Sequence, residues 1–431
     1  MPEEAEDPAA ETSPSRREVL RQGVAVVAAS SLGPALSQAK SAGPHVVVVG
    51  AGAFGGWTAL SLLRRGARVT LLDAWGAGNA RASSGGETRL IRAMYNGDPA
   101  YTSMVTRAFT LWREAEKRWG HTVFQRTGVL YLFEEDDSFA RKSVPLMKER
   151  GIAVETLTPE EGARRFSTIA FDGVRVAYFE PEAGVLLARA SCELVRETFE
   201  REGGTYRQAR VQPGRIEKGR LAGVTLDGGE ALGADAFVFA CGPWLGSVFP
   251  DVVGEGIAAT RQDVIFFGTP PGNRRFDAPA FPAWINFGER RLYGMPGNER
   301  RGFKVADDSA GPVVDPTTME RVVSPGAVEI ARDIVKRRFP LLAAQPVVET
   351  RVCQYEYSPD GDFLLDNHPG ASNVWLVGGG SGHGFKMGPA LGEYVTRLVL
   401  GGAKPDAKFS YAHFAEGRER LRATRLRKEH S

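Results

Sequence analysis

The stretch that decides the fold is His45-Val-Val-Val-Val-Gly-Ala-Gly-Ala-Phe-Gly-Gly56. Its uninterrupted valine run is typical of a strand that is buried on both faces. The strand runs directly into Gly50, Gly52 and Gly55, which have the spacing G-x-G-x-x-G. In a strand–turn–helix setting, the first glycine permits a tight turn and the second lets the backbone approach a pyrophosphate. The third lets the helix pack closely on the strand.

The residues after the glycines complete a βαβ pattern. Residues 57–65 have helical character and end at Gly66, and residues 67–73 form a second apolar strand. That strand closes in Asp73, which follows Gly50 by about the 20 residues expected for an acid that binds a ribose. The helix N-terminus would offer its free N–H groups to phosphates. The unit predicts a dinucleotide site without a 2′-phosphate, against the simpler interpretation of a glycine-rich turn that binds no nucleotide.

The composition excludes several classes of protein. The chain has 431 residues, of which 42% are hydrophobic and 25% charged, as is ordinary for a folded chain of two or three domains. Its 54 basic and 52 acidic residues leave a formal charge of +2, so a nucleic-acid partner has no electrostatic support. The three cysteines and six histidines occur without metal-ligand spacing, so we expect neither a metal site nor a disulfide framework.

Residues 1–39 have the order of an export signal. The pair Arg16-Arg17 precedes an apolar run over residues 23–36, which ends in the small-x-small sequence Ser37-Gln-Ala39. The run is shorter than the roughly 18–20 residues that a membrane span needs, so we expect no stable span. The pair resembles a twin-arginine signal, which predicts that the export machinery delivers the folded protein to the periplasm. The alternative is an N-terminal extension with a chance Arg-Arg.

The glycine motif alone does not distinguish NAD from FAD, but the rest of the chain provides a resemblance. Over almost all of residues 45–402 it resembles the D-amino-acid-oxidase superfamily of flavoproteins, in particular the sarcosine oxidase branch. This resemblance implies an FAD enzyme that oxidises amines bearing a carboxylate. Its anchors are Gly50-x-Gly52-x-x-Gly55, Gly86-Glu-Thr-Arg-Leu-Ile-Arg92, residues 178–184 (YFEPEAG), residues 235–244 (DAFVFACGPW), Tyr293-Gly294, Lys304, residues 352–365 (VCQYEYSPDGDFLL) and Gly380-Ser-Gly-His-Gly-Phe-Lys386.

The resemblance and the apolar pattern together predict an α/β fold with two interleaved domains. A Rossmann-type FAD-binding domain is expected from residues 45–95, 185–255 and 345–402. An antiparallel-sheet substrate domain, with α+β character, is expected from residues 96–184 and 256–344. Residues 205–211 and 219–226 are expected strands of a β-meander, and residues 403–431 a C-terminal tail.

The resemblance also implies which residues bind the cofactor. Cys353 lies where the branch tethers its flavin through a thioether, because a thiolate can attack the 8α carbon of the oxidised ring. Without the resemblance, Cys353 would be interpreted as a small buried residue on a strand, as Cys192 and Cys241 are. The other implied FAD-binding positions are Gly50, Gly52, Gly55, Asp73, Thr88, Arg89, Val211, Gly384, Phe385 and Lys386.

Five residues match positions that contact substrate or oxygen in the branch. Arg92 and Lys386 match the two cations that hold the substrate carboxylate, and Tyr293 and Tyr355 match aromatic positions of the pocket. Lys304 matches the lysine that activates O2, where a cation stabilises the charge of superoxide. On sequence grounds alone each of these could instead be a solvated or core side chain.

Three positions depart from the branch. Gly85 and Asp308 stand where sarcosine oxidases carry histidine, and Met295 stands where they carry phenylalanine. We therefore expect a secondary amino acid with a bulkier N-alkyl group or a ring, oxidised to an imine with O2 as acceptor and H2O2 as product. His383 is expected to pack or to bond to backbone. The alternatives are a dehydrogenase of the same fold that passes electrons to a carrier, and a non-catalytic flavin- or ligand-binding protein.

Overall fold

The computed structural model of the chain describes residues 43–429, with side chains described as far as residue 423. The predicted export signal, residues 1–39, lies outside the described residues. Within the described part, no helix combines the length and the apolar character that crossing a bilayer requires.

A six-stranded sheet is built around His45–Val49, in which every residue is buried. Arg68–Asp73 pairs with it in parallel on one side and Ala236–Phe239 on the other. A central parallel strand has no solvent-facing side, which is why its sequence is a continuous apolar run. In spatial order the strands are Leu364–His368, Ala371–Gly378, Ala236–Phe239, His45–Val49, Arg68–Asp73 and Thr205–Gln208.

The predicted β-meander is smaller than expected. Thr205–Gln208 pairs in parallel with Arg68–Asp73 and so becomes an edge strand of the six-stranded sheet. Its alternating pattern indicated a strand correctly, but such a pattern does not specify the partner. The antiparallel strands that follow are Val211–Pro213, Val224–Leu226 and Ala231–Leu232 in one small sheet, and Ile216–Glu217 with Arg220–Leu221 in a hairpin.

A second, eight-stranded sheet is antiparallel except for the parallel pair Ala283–Phe287 and Val129–Phe133. The combination of a parallel sheet with a mainly antiparallel one confirms the predicted fold class. In spatial order the strands are Val347–Tyr357, Ala258–Phe267, Phe303–Asp307, Arg291–Met295, Ala283–Phe287, Val129–Phe133, Val176–Glu180 and Glu155–Leu157. A further sheet contains Thr88–Ile91, Gly184–Leu187 and Phe124–Gln125.

The strand Val347–Tyr357 joins the eight-stranded sheet, although the predicted FAD-binding domain resumes at residue 345. It pairs along its length with Ala258–Phe267. The strand thereby carries Cys353 and Tyr355 from the larger sheet toward the glycine turn. The domain boundaries themselves stay predictions.

Close packing of two helices positions the glycine-rich C-terminal run. The helix Ala53–Arg64 lies so near Gly388–Val399 that a Cβ atom on Gly392 would be 2.6 Å from the carbonyl oxygen of Trp57. A Cβ on Gly384 would likewise be 2.6 Å from the Phe54 ring. The helices are Ala53–Arg64, Pro99–Trp119, Ser138–Glu149, Pro159–Arg165, Ala188–Arg201, Leu245–Val248, Ala327–Arg338, Gly388–Val399 and Tyr411–Glu429.

Candidate active site

The glycine turn has the strained and crowded geometry that its sequence predicted. Gly50 has a φ of +106°, and a Cβ atom on it would lie 2.2 Å from the carbonyl oxygen of Ala240. A Cβ on Gly55 would lie 1.8 Å from the carbonyl oxygen of Gly50. A side chain at Gly50 would be strained by the positive φ, and a side chain at Gly50 or Gly55 would collide with backbone. Only glycine therefore fits at either position.

A cavity of about 340 Å³, here called the first cavity, opens at this turn. It runs from the end of the strand Arg68–Asp73, past the N-terminus of the helix Ala53–Arg64, to the Gly380–Lys386 run. The predicted cofactor residues on its wall are Gly50, Gly52, Asp73, Arg89, Val211, Gly384 and Phe385.

Asp73 fixes the turn as well as bordering the cavity. Its Oδ2 accepts a hydrogen bond of 2.7 Å from the Ala51 N–H, and its Oδ1 accepts bonds of 2.9 Å from Trp75 and Gly76 N–H groups. Burial raises the pKa of Asp73, and these three N–H donors oppose that shift. A carboxylate offers about four acceptor positions, so one remains for a ribose hydroxyl.

Two tryptophans form the end of the first cavity beside Asp73, and sequence reasoning missed both. The ring centroids of Trp75 and Trp244 are 4.7 Å apart, and the indole N–H of Trp244 donates a 2.8 Å bond to the hydroxyl of Thr317. The guanidinium of Arg210 lies 5.5 Å from the Trp75 ring. Trp244 is the last residue of the quoted stretch 235–244, so the sequence contained a signal for it. Trp75 is a single aromatic residue after a strand, and nothing in the sequence pattern singled it out.

The first cavity also contains polar atoms that the protein leaves unsatisfied. Ser83 Oγ and Glu356 Oε2 are buried on its wall, and neither has a hydrogen-bond partner within the described part of the chain. Since buried polar atoms are normally hydrogen-bonded, a polar ligand is expected there. The glycine cradle, the helix N-terminus, the Asp73 acceptor and these two groups together fit FAD.

A second cavity, of about 570 Å³, adjoins the first. The two cavities share Arg89, Tyr355, Gly382 and Phe385 on their walls. A molecule in the second cavity would therefore meet the end of a cofactor in the first. The predicted substrate residues that border the second cavity are Arg92, Lys386, Tyr293 and Tyr355, together with Met295 and Asp308.

The structure brings Arg92 and Lys386 together around one tyrosine. The Lys386 ammonium donates bonds of 2.8 Å to the Tyr95 hydroxyl and 2.6 Å to the carbonyl oxygen of His383. The Arg92 guanidinium lies 4.9 Å from the centre of the Tyr95 ring. Burial, and then the charge of Arg92, lower the pKa of Lys386 well below its ordinary value. An anion in this cavity would offset both effects, because it would face the buried Lys386 ammonium and the half-buried Arg92 guanidinium.

A buried acid supports the segment that follows Arg92. Glu180 accepts hydrogen bonds of 2.8 Å from the Ala93 N–H and 2.9 Å from the Tyr131 hydroxyl. Burial raises the pKa of Glu180 to about 7. In the sequence analysis this residue was quoted within the stretch 178–184 and was given no role. Its contacts show that it holds the backbone beside Arg92, which together with Lys386 is here called the cation pair.

Cys353, Arg89 and Lys304 form a cluster, in which Arg89 alone also borders the first and second cavities. The Arg89 guanidinium donates a 3.1 Å bond to the Cys353 sulfur, and the Lys304 ammonium donates a 3.0 Å bond to the carbonyl oxygen of Thr88. Burial, and then Arg89, lower the pKa of Lys304 to about 7. Arg89, Lys304 and Cys353 border a small cavity of about 20 Å³, which has room for one water-sized molecule. Tyr293 and Tyr355 lie nearby, with their hydroxyls 3.1 Å apart.

Cys241 packs against an apolar core cluster, as expected. It borders the first cavity, where Cys353 does not. Burial, together with Asp73 and Glu356, raises the pKa of the Cys241 thiol well above its ordinary value. A thiol that resists ionisation is a poor nucleophile, so Cys353 remains the better candidate for a tether.

The three departures from the sarcosine oxidase pattern have physical reasons or consequences. A Cβ on Gly85 would lie 1.8 Å from the carbonyl oxygen of Asn79, so the local turn leaves no room for histidine. Asp308 borders the second cavity and lies 3.7 Å from the guanidinium of Arg291. Burial raises the pKa of Asp308, and the charges of Arg291, Arg92 and Lys386 oppose that shift. Met295 is buried in the same wall.

His383 is bonded to backbone, as expected. Its Nε2 lies 3.1 Å from the carbonyl oxygen of Gly361. Burial, and then the charge of Lys386, lower the pKa of His383 to about 3. The ring is therefore neutral at physiological pH and does not act as a cation in the second cavity.

Comparison with known sequences identifies relatives along most of the chain. A monomeric sarcosine oxidase from Bacillus sp. is 29% identical over 364 residues, which cover 83% of this chain and 92% of that protein. An N-methyl-L-tryptophan oxidase from Salmonella arizonae is 27% identical over 359 residues, which cover 82% of this chain and 94% of that protein.

The fold is shared with solved structures at lower identity. An L-proline dehydrogenase from P. horikoshii superposes with a TM-score of 0.76 at 20% identity, over 87% of this chain and 98% of that one. The family described as FAD dependent oxidoreductase, DAO, matches residues 45–398, which include the glycine turn, the cation pair and Cys353. The chain therefore belongs to the FAD-dependent oxidoreductase family DAO, as its resemblance to the D-amino-acid-oxidase superfamily had predicted.

Proposed function

We propose that this chain oxidises a carboxylate-bearing secondary amine, either an N-alkyl or a cyclic amino acid, to its imine and passes the electrons to O2. The observation that carries the proposal is a pair of cations, half-buried Arg92 and buried Lys386, which both contact Tyr95 in the second cavity. That cavity shares four wall residues with the cavity that fits FAD. The relatives named for sarcosine and N-methyl-L-tryptophan oxidation support the same class of substrate.

Each residue has a role that follows from its position. FAD, when bound, accepts two electrons from the amine and gives them to the acceptor. Arg92 and Lys386 bind the carboxylate and so orient the reacting carbon toward the wall that the two cavities share. The cationic surroundings favour the neutral form of the amine, which has the lone pair that oxidation requires. Tyr293 and Tyr355 close the pocket over the substrate side of that wall.

The proposal is tested with pairs of substrates. Under anaerobic conditions, N-methyl amino acids, proline and pipecolate should bleach the flavin absorbance faster than their decarboxylated amines, because only the acids engage the cation pair. We expect the best substrate to be larger than sarcosine, since Met295 and Asp308 reshape the pocket. Equal bleaching by an acid and its decarboxylated partner would contradict the carboxylate requirement. Fastest bleaching by sarcosine would contradict only the altered pocket.

We also propose that FAD is attached covalently through Cys353. Its sulfur accepts a 3.1 Å bond from the Arg89 guanidinium. Arg89 borders the first cavity, so the sulfur lies one side chain from the expected position of the ring. The thioether would join the sulfur to the 8α carbon; the thiol and that carbon would each lose a proton, and O2 would take up the two electrons released.

Cys353→Ala is therefore expected to yield a protein whose flavin is released by acid or denaturant. The measurement is flavin fluorescence in the protein band of a denaturing gel. Cys241→Ala is the matched control, because Cys241 also borders the first cavity but has a thiol that resists ionisation, and its flavin should stay in the band. Fluorescence that persists in the Cys353→Ala band would place the attachment elsewhere.

A further inference from the structure

Glu356 is a buried acid in the first cavity to which the proposed reaction assigns no role. It lies on the strand Val347–Tyr357, opposite Ala259, and only 8% of its surface is exposed. The backbone N–H of Gly380 bonds to its carboxyl group. The other oxygen, Oε2, is buried on the cavity wall without a hydrogen-bond partner among the described residues. Such an atom in a native protein calls for a partner that the protein alone does not supply.

The surroundings of Glu356 favour its neutral form. Burial raises the pKa of Glu356 to about 7, and the N–H of Gly380 opposes the shift. Within the described chain, no basic side chain contributes to stabilising its charge. A Cβ atom on Gly242 would lie 3.3 Å from Oε2, so the backbone on this side is close, and Cys241 beside it is a neutral thiol. A protonated carboxyl group has an O–H to donate, whereas an ionised one can only accept.

The position of Glu356 along the first cavity indicates which part of the cofactor it meets. Gly380 and Gly384 both lie against the ring of Phe54, which is in the first turn of the helix that follows the glycine motif. Glu356 therefore lies between the helix N-terminus, where phosphates bind, and the wall shared with the second cavity. In FAD the ribityl chain and the pyrophosphate connect these two ends. Their oxygens accept hydrogen bonds, and the phosphates would repel an ionised carboxylate.

We propose that Glu356 is held as a neutral carboxylic acid and donates a hydrogen bond from Oε2 to an oxygen of the ribityl–pyrophosphate chain of FAD. The inference concerns the cofactor and is independent of which amine is oxidised. Glu356 is then a cofactor-binding residue whose neutral side chain avoids repulsion by the negatively charged phosphates. It also explains why a carboxyl group is tolerated in a cavity that binds an anionic molecule.

The test compares Glu356→Leu with Glu356→Gln in a Cys353→Ala background, so that no thioether retains the flavin. The amide of glutamine can still donate a hydrogen bond, whereas leucine leaves the cofactor oxygen without a partner. We expect FAD to bind Glu356→Leu about ten- to a hundredfold more weakly and Glu356→Gln nearly as tightly as the parent. Thr396→Val is the matched control, because Thr396 Oγ1 is another buried group with no hydrogen-bond partner among the described residues, but it lies in the helix Gly388–Val399.

A second measurement on the tethered holoenzyme does not depend on affinity. The infrared spectrum of the wild-type protein at neutral pH should contain a protonated carboxyl band that is missing from Glu356→Gln. Unchanged FAD binding in Glu356→Leu would overturn the hydrogen bond. The claim that Glu356 is neutral would be overturned if Glu356→Gln weakened FAD binding as much as Glu356→Leu does. It would also be overturned if Glu356→Gln kept the protonated carboxyl band. All of these are measured without substrate, so they fail independently of the proposed reaction.

Discussion

Replacing both Arg92 and Lys386 with alanine is expected to weaken binding of the amino acid substrate by about a hundred- to ten-thousandfold. Each charged hydrogen bond to a carboxylate is worth about 1.5–3 kcal/mol, and the range allows for neighbours that do not add independently. Lys386 is buried and Arg92 half-buried beside Tyr95, so water replaces them less readily than it would at the surface. Because the carboxylate also aligns the reacting carbon, the anaerobic rate of flavin reduction should fall together with the affinity.

The same variants provide the control for this prediction. The decarboxylated amine makes no carboxylate contact, so its slow reduction rate should change little between the wild type and the double variant. Arg291→Ala removes a cation that also borders the second cavity but is half-exposed, and it should have a much smaller effect. If the double variant were reduced more slowly by the amino acid and by the decarboxylated amine to the same extent, the pocket as a whole would be damaged. Undiminished affinity for the acid would exclude the cation pair as the carboxylate site.

The glycine turn could be predicted from sequence because its chemistry is local. The turn, the helix and Asp73 lie within one βαβ unit, and each residue type is required by its immediate neighbours. Gly50 and Gly55 face backbone atoms at distances that exclude any side chain. Only one residue type is possible at such positions, so the sequence pattern and the structure agree closely.

Arg92 and Lys386 could be predicted only through resemblance. Arg92 directly follows the strand Thr88–Ile91, and Lys386 lies in a short helical turn before Gly388–Val399. No periodicity relates two elements so far apart in the chain. Their convergence on Tyr95 depends on the packing of the helices, which cannot be predicted from the periodicity of a single sequence.

Glu356 shows what sequence reasoning misses in principle. On an alternating strand, a glutamate would be interpreted as a solvent-facing residue. Its burial arises because the turns at Gly242 and Gly380 close over it, and both are distant in sequence. Trp75 is a similar case, since its partner Trp244 comes from another part of the chain. Functional groups of this kind are recognisable only when burial and unsatisfied atoms can be measured.

Lys304→Met is expected to slow the reaction of the reduced enzyme with O2 by on the order of a hundred- to a thousandfold. Lys304 is buried beside Arg89 and Cys353, next to a cavity of about 20 Å³ that could admit O2. Electron transfer to O2 creates superoxide, whose negative charge a buried cation stabilises strongly. The lysine does not border the second cavity, so anaerobic reduction by substrate should change little. Stopped-flow mixing of the reduced protein with O2 measures the first effect.

The pH dependence of the O2 reaction gives this prediction a second, independent readout. Because burial and Arg89 lower the pKa of Lys304 to about 7, the ammonium is present below that pH and is lost above it. The wild-type O2 rate should therefore fall as the pH rises through about 7, whereas Lys304→Met should be slow and independent of pH across this range. Lys304→Arg keeps its charge at every accessible pH, so it should react faster than Lys304→Met without the decline. An O2 rate that Lys304→Met leaves unchanged would favour a dehydrogenase that passes its electrons to a carrier, because the buried Lys304 ammonium would then have no role in oxygen reduction.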